Sequence, residues 1–414
     1  MGLRVENPRV FDDRHRVIAE LAKKEVSIGL RVDHVDGLYD PFRYLERLRA
    51  AIATRNTSHT SANRYLIVEK ILGRDEPLPE DWPVAGTTGY DFLNAINGIF
   101  VDPDELNRLE TDFRAFSGCE ASYSEICYAR NKQVIHQLSA GELAAFGHKL
   151  ANLAAQDRFA RDLLLPDIIQ AFVEVTACLP VYRTYVRNFV ISDRDRGYLE
   201  WTLKSARRRA ARDEISGSAL DFMRRILFLK LEPYAEAQRK KWLRSIMQWQ
   251  QFASPVVAKG LEDTASYIHN SLISLNELGG GSLREKPPYD ISAFHTLNQR
   301  RLACWPHTMN STSTHDTKRI EDVRARIDVL SEIETVWLSR LHRWSKWNRP
   351  RRNVYSQFHE HCKTESIYER FPGAAEICCN LRSSEFDITG SIENHPAWCA
   401  GLLSRNGIVE LQPG

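Results

Sequence analysis

The sequence predicts an α/β protein with parallel strands and a large helical insertion, on three observations. Two short apolar runs, Val26–Asp33 and Tyr65–Glu69, each end in a carboxylate, as buried parallel strands do when they present functional groups at their C-terminal ends. Helical periodicity separates the two runs, giving the strand–helix–strand alternation of a parallel sheet. From about 103 to 278 strand signals give way to successive amphipathic helical patterns.

In chain order, residues 8–25 read as a helix with Val10, Val17, Ile18 and Leu21 on its apolar face. The β-branched run into Asp33 is the first strand. A helix over about 41–53 follows, with Pro41 in its first turn and Tyr44, Leu45 and Leu48 facing inward. Tyr65-Leu66-Ile67-Val68-Glu69 repeats the strand design. In the helical stretch, Phe222, Ile226 and Leu229 share a stripe within Ala219–Leu231. Gly279-Gly280-Gly281 and Pro287-Pro288 punctuate its end. A third apolar-to-polar transition, Met309–Asp316, precedes a helix over about 319–345. The last sixty residues show little periodicity, and no internal repeat is visible.

With 414 residues, there is chain for two or three domains, or for one large barrel carrying an insertion. A net charge of +2 supplies no global field to recruit nucleic acid or anionic lipid. The basic run Lys204, Arg207, Arg208, Arg209 and Arg212 reads as a solvated helix face, since it lacks interleaved aromatics. No apolar stretch reaches the eighteen or so residues of a membrane span, and the N-terminus has no signal-like h-region. The eight cysteines form no C-x-x-C pair and no zinc-like spacing with histidine. Reduced thiols in a cytoplasmic protein are the expectation.

Three carboxylates, Asp33, Glu69 and Asp316, fall where a parallel barrel places its active-site face. Retaining chemistry at a glycosidic bond needs an ionised nucleophile and a protonated acid on either side of the anomeric carbon. Arg31, two residues before Asp33 on the same strand face, is placed to keep Asp33 ionised. The apolar setting of Ile67 and Val68 favours a protonated Glu69. Plainer readings stand beside these: a structural Arg31–Asp33 ion pair, and a solvated strand end at Glu69-Lys70.

The wording of the motifs is more specific. Gly29-Leu30-Arg31-Val32-Asp33-His34 is similar to the second conserved region of the α-amylase family, G-x-R-x-D-x. Glu69 and Ser313-Thr314-His315-Asp316 resemble its third and fourth regions. Longer blocks resemble the maltooligosyltrehalose synthase branch: Asp33–Pro41, Val68–Leu72, Trp82–Phe92, Leu179–Tyr185, and Thr312–Arg319 continuing to Arg326. The likeness runs from about residue 2 to about 347.

The resemblance implies a partial (β/α)₈ TIM barrel, about strands four to seven, with a large mainly α-helical insertion. On that plan 1–102 is a barrel segment carrying Asp33 and Glu69, and 103–280 the helical subdomain. A second barrel segment, 281–347, carries His315-Asp316, and 348–414 is a divergent tail. Strands one to three and the eighth strand find no match. The implied activity is that of a (1→4)-α-D-glucan 1-α-D-glucosylmutase, which turns the reducing-end α-1,4 link of a maltooligosaccharide into an α,α-1,1 link. Asp33 would be the nucleophile, Glu69 the acid and base, and Asp316 the transition-state stabiliser. Arg31, His34, Tyr90, His315 and Lys318 would contact sugar, with Tyr90 read equally as a core aromatic. The resemblance implies an α-glucan partner and no metal or organic cofactor.

Overall fold

In the computed structural model the described residues are 3–23, 29–53, 64–211, 215–230, 234–280 and 288–361, of which 349–361 are described by backbone alone. The apolar run before Asp33 forms β1 (Gly29–Val32), and its residues 26–28 lie outside the described residues. The second run forms β2 (Tyr65–Val68), and a third, shorter strand, β3 (Gly86–Thr87), follows. All three are parallel in the order β1-β2-β3, with Val32 opposite Val68 and Ile67 opposite Gly86. This register sets the residues after β1 and β2 side by side at one end of the sheet, and the Glu69 N–H donates to the Val32 carbonyl at 2.8 Å.

Two helices cover this sheet. α1 (Pro8–Lys23) and α2 (Pro41–Ile52) pack Phe11, Leu45, Leu48 and Ile52 into a core with Val32, Leu66 and Val68. α2 starts as its sequence dictates: Asp40 accepts the Arg43 N–H at 3.1 Å, and Pro41 sits where no N–H is needed. The expected face of α1 is corrected. Val17 and Leu21 are exposed, and the buried line is Phe11, His15 and Ala22, with Ile18 partly buried. A histidine takes the central position because both ring nitrogens find partners, the Phe11 carbonyl and the Tyr44 hydroxyl, each at 2.8 Å.

β3 lies close under the chain that returns at Thr308. A Cβ on Gly86, whose φ is +141°, would stand 2.4 Å from the Thr308 side chain and 2.7 Å from its Cα. Both the backbone conformation and the space exclude a side chain there. Gly86→Ala should therefore destabilise the protein by about 2–3 kcal/mol, measured as a lowered denaturation midpoint.

Past the sheet the chain is mainly helical. The described helices are α3 (Tyr90–Ile99), α4 (Pro103–Ser117), α5 (Tyr123–Gln137), α6 (Ala140–Ala154), α7 (Leu165–Ala177), α8 (Asp193–Ala210), α9 (Gly217–Leu227), α10 (Glu236–Leu261), α11 (Ile291–Cys304), α12 (Glu321–Asp328) and α13 (Glu334–His361). α10 buries Trp242, Ile246, Trp249, Phe252 and Val256 along one stripe. In α9, Phe222 and Ile226 are buried, whereas Leu229 lies past the helix end with φ +49°. Lys204, Arg207 and Arg208 are exposed on α8, and Arg209 stacks 4.0 Å from the Tyr128 ring. Arg212 lies outside the described residues, as do residues 362–414 with four of the cysteines.

The third apolar-to-polar transition, Met309–Asp316, is irregular. One backbone bond, from the Met309 N–H to the Thr87 carbonyl at 3.2 Å, joins it to β3. Among the described residues the sheet thus has three strands, and no helix is long and apolar enough to cross a membrane.

The chain forms two compact units, each discontinuous in sequence. The first comprises residues to Asp91, Cys127–Thr264 and Leu297–Asn310, and contains the sheet with α1, α2 and α6 to α10. The second comprises Phe92–Ile126, Ala265–Thr296 and the residues from Ser311 on, with α4, α12 and α13.

Candidate active site

Because β1 and β2 run parallel in register, the carboxylates that end them meet. In the first unit one guanidinium nitrogen of Arg31, Nη2, lies 2.7 Å from Asp33 Oδ1 and 2.8 Å from Glu69 Oε1. Sharing one nitrogen and hydrogen-bonded to each other, the two carboxyls stand closer together than the spacing of about 5–5.5 Å that retaining glycosidases use with a sugar between them. The main-chain N–H of His34 donates to Glu69 Oε2 at 3.0 Å. His34 reaches that position in the left-handed conformation, φ +42° and ψ +50°, an uncommon state for a residue with a side chain. Its ring rests on Gly37, where an added Cβ would lie 3.2 Å from the imidazole.

The two carboxyls sit in different surroundings. The Asp33 side chain is 68% exposed and that of Glu69 12%. A hydrogen bond from Glu69, aided by Arg31 against partial desolvation, holds Asp33 below the usual carboxylate range. Burial pushes Glu69 up, with Asp33 adding to the rise while the His34 N–H and Arg31 oppose it. The pair is thus poised with one ionised, accessible carboxylate and one carboxyl that keeps its proton longer. Arg31 lowers both, so Arg31→Met should raise the titration midpoints of Asp33 and Glu69 together, read from side-chain carboxyl ¹³C shifts against pH. A midpoint that stays put at both residues would refute this assignment.

Beneath the pair lies a buried ionic network that motif reading does not reveal. Lys70, directly after Glu69, is fully buried, which removes the solvated strand-end alternative. Its ammonium lies 3.0 Å from both Asp36 Oδ2 and Glu76 Oε1. Arg194 adds bonds to Glu76 at 2.7 Å and to Asp195 at 2.9 Å. Arg183, also fully buried, donates to the carbonyls of Asp36 and Leu38, and the Tyr185 hydroxyl donates to Asp36 Oδ1. Arg183 and Tyr185 come from the Leu179–Tyr185 block, which therefore braces the turn following Asp33. One sequence signal points to part of this: a lysine flanked by Leu66-Ile67-Val68 and Ile71-Leu72 sits in a segment too apolar for an unpaired cation.

Tyr90 opens α3 and is 1% exposed. The remaining candidate residues belong to the second unit. His315 Nε2 lies 3.2 Å from Asp316 Oδ2, and both side chains are substantially exposed. Lys318 stands with its ammonium 4.7 Å from the centre of the Tyr267 ring. Their loop is held from inside: Glu277 accepts the N–H groups of Lys318 and Arg319, each at 2.8 Å. The buried guanidinium of Arg324 donates to the carbonyls of Thr312 and Arg319, clamping both ends of the His315-Asp316 loop. Burial pushes the Glu277 carboxyl above its usual range, against the pull of those donors.

No family model matches the chain. A curated protein of Mycobacterium tuberculosis named as a maltooligosyl trehalose synthase is 33% identical over 340 residues, covering 81% of this chain and 39% of the relative. The solved maltooligosyltrehalose synthase of Arthrobacter ramosus matches 98% of this chain and 45% of its own, with 29% identity and a TM-score of 0.69. The hypothetical maltooligosyl trehalose synthase of Sulfolobus tokodaii matches 83% of this chain and 39% of its own, with 30% identity and a TM-score of 0.58. The chain spans about two-fifths of the length of the curated relatives it matches. By sequence and fold it is a partial-length homologue of the maltooligosyltrehalose synthases.

Proposed function

We propose that the chain carries the nucleophile and acid–base pair of a maltooligosyltrehalose synthase reaction, on an α-amylase-type scaffold forming part of a (β/α)₈ barrel. The observation that carries this reading is the pairing, on one arginine, of an accessible Asp33 whose carboxyl is held below the usual range with a largely buried Glu69 whose carboxyl is pushed above it.

Asp33 attacks the anomeric carbon of the penultimate glucose of a maltooligosaccharide. Glu69 gives its proton to the oxygen of the terminal glucose, which leaves. A covalent glycosyl–Asp33 ester remains, and Glu69 is now a carboxylate. The freed glucose turns in place and its own anomeric hydroxyl attacks the ester. Glu69 takes that proton, and the α,α-1,1 link forms with overall retention. Arg31 keeps Asp33 ionised and within reach. Family resemblance gives Asp316 the role of stabilising both transition states, and gives His34, His315 and Lys318 contacts with sugar hydroxyls, while the 1% exposure of Tyr90 favours its reading as a core aromatic.

The reading is tested by incubating the purified chain with maltopentaose beside an Asp33→Ala control. Reducing power that falls without release of free glucose, and only when Asp33 is present, supports it. Rising reducing power means that water captures the intermediate and the chain is a glucan hydrolase. No change from a folded preparation overturns the assignment of activity to this chain.

A further inference from the structure

Resting on the roles just given to Asp33 and Glu69, we propose that Lys70 is a positioning residue, a buried strut that fixes the loop after β1 against the loop after β2. Lys70 follows Glu69, and Asp36 follows Asp33 by three residues, so the Lys70–Asp36 contact ties the two catalytic loops together one step below the reacting groups. The three ammonium protons have three acceptors: Asp36 Oδ2, Glu76 Oε1 and the Ile71 carbonyl at 2.9 Å. Each acceptor belongs to a loop leaving β1 or β2. The Tyr182 ring, 5.1 Å from the ammonium, closes a further side.

Lys70 therefore acts through the backbone. The segment it anchors, Val35–Gly37, continues directly from His34, whose N–H holds Glu69. Arg183 and Tyr185 hold the same segment from the helical side. Asp36 is where both sets of contacts converge, and its position sets how far Asp33 and His34 stand from Glu69. A cation buried this completely gives little net stability over an apolar side chain of equal size. Its use at this point is geometric: it makes one spacing of the two loops far better than its neighbours.

The test reads the His34 amide, which senses that spacing whether or not the chain turns over substrate. Hydrogen exchange is followed residue by residue in the full chain for wild type, Lys70→Met, Lys70→Arg and Asp36→Asn. In Lys70→Met the His34 amide should exchange at least about tenfold faster, while the Glu69 amide in the sheet and the α7 amides stay within about twofold. With maltopentaose, kcat should fall by about 10²-fold at nearly unchanged KM, and Lys70→Arg should recover most of it. If Lys70→Met does not fold, Asp36→Asn decides through the same amide, since it keeps the shape and removes the anion. An unchanged His34 amide, or protection lost equally throughout the unit, overturns the proposal. Absence of turnover in wild type counts against the assigned reaction, and the exchange result still decides whether Lys70 sets the loop spacing.

Discussion

Glu69→Gln should cut isomerisation of maltopentaose by at least about 10³-fold, yet leave the attack of Asp33 on an activated substrate almost intact. Glutamine keeps the shape and can still meet Arg31 and the His34 N–H, but it has no proton to give the leaving oxygen. A maltosyl fluoride needs none, because fluoride departs unassisted. Transfer of the maltosyl group from that ester to an acceptor then lacks its base, so the ester on Asp33 should accumulate. Mass spectrometry of the variant treated with α-maltosyl fluoride should show one added maltosyl group on the peptide that contains Asp33. The same treatment of an Asp33→Ala, Glu69→Gln double variant should leave the peptide unmodified. Label on another residue would remove Asp33 from the nucleophile role, and equal loss of rate with the fluoride and with maltopentaose would remove Glu69 from the acid role.

The electrostatics behind this expectation also predict its pH dependence. Asp33 lies below its ordinary range and Glu69 above it. Activity therefore requires a pH above the Asp33 midpoint and below that of Glu69, and the separation of the two widens the working window. The Asp33 carboxylate itself contributes to the rise at Glu69, so part of the window is generated by the pair acting on each other.

What the sequence made legible was local and directional. Apolar runs ending at Asp33 and Glu69 specify two parallel strands whose ends coincide, and that alone brings the carboxylates together. The buried face of α1 departs from its apolar periodicity because the Phe11 carbonyl and the Tyr44 hydroxyl, 29 positions away, make His15 a core residue. Met309–Asp316, read as a third apolar-to-polar transition, forms no strand: after Met309 it is polar, and one backbone bond to β3 supplies no ladder. The bracing groups were invisible for a related reason. Arg183 meets the carbonyl of Asp36 across 147 positions, and Arg324 meets Asn97 across 227. Charged residues so far apart read as surface until the fold pairs them.

Each unit solves the same problem in the same way. A loop that presents a carboxylate to solvent has few apolar contacts to hold it, so a buried charged group bonds its backbone instead. In the first unit Arg183 holds the turn after Asp33, and in the second Arg324 and Glu277 hold the loop of Asp316. Peptide carbonyls and N–H groups offer fixed, directional partners, and ionised donors and acceptors bind them more strongly than neutral ones. Precision in an exposed site thus comes from polar groups beneath it, at the expense of burying charge.

Asp328 shows what such burial does to a carboxyl. It ends α12 and is fully buried, with Ser274 and Arg324 as the groups that favour its ionised form. Burial outweighs both and pushes its carboxyl up to about 7. In the unfolded chain the same group titrates near about 4. Between those two values the folded protein holds a proton that the unfolded chain has released, so stability falls as pH rises from about 4 to about 7, then levels. The full difference corresponds to about 4 kcal/mol as an upper bound. Asp328→Asn removes the titrating group while keeping its size. Wild type and variant should denature at similar temperatures near pH 4.5, and the variant should become the more stable of the two as the pH approaches 8, gaining several degrees. Parallel curves for the two proteins across that range would mean that Asp328 is solvated or paired in its ionised form. The slope lost in the variant measures how much of the acid-side stability of the second unit rests on this one proton.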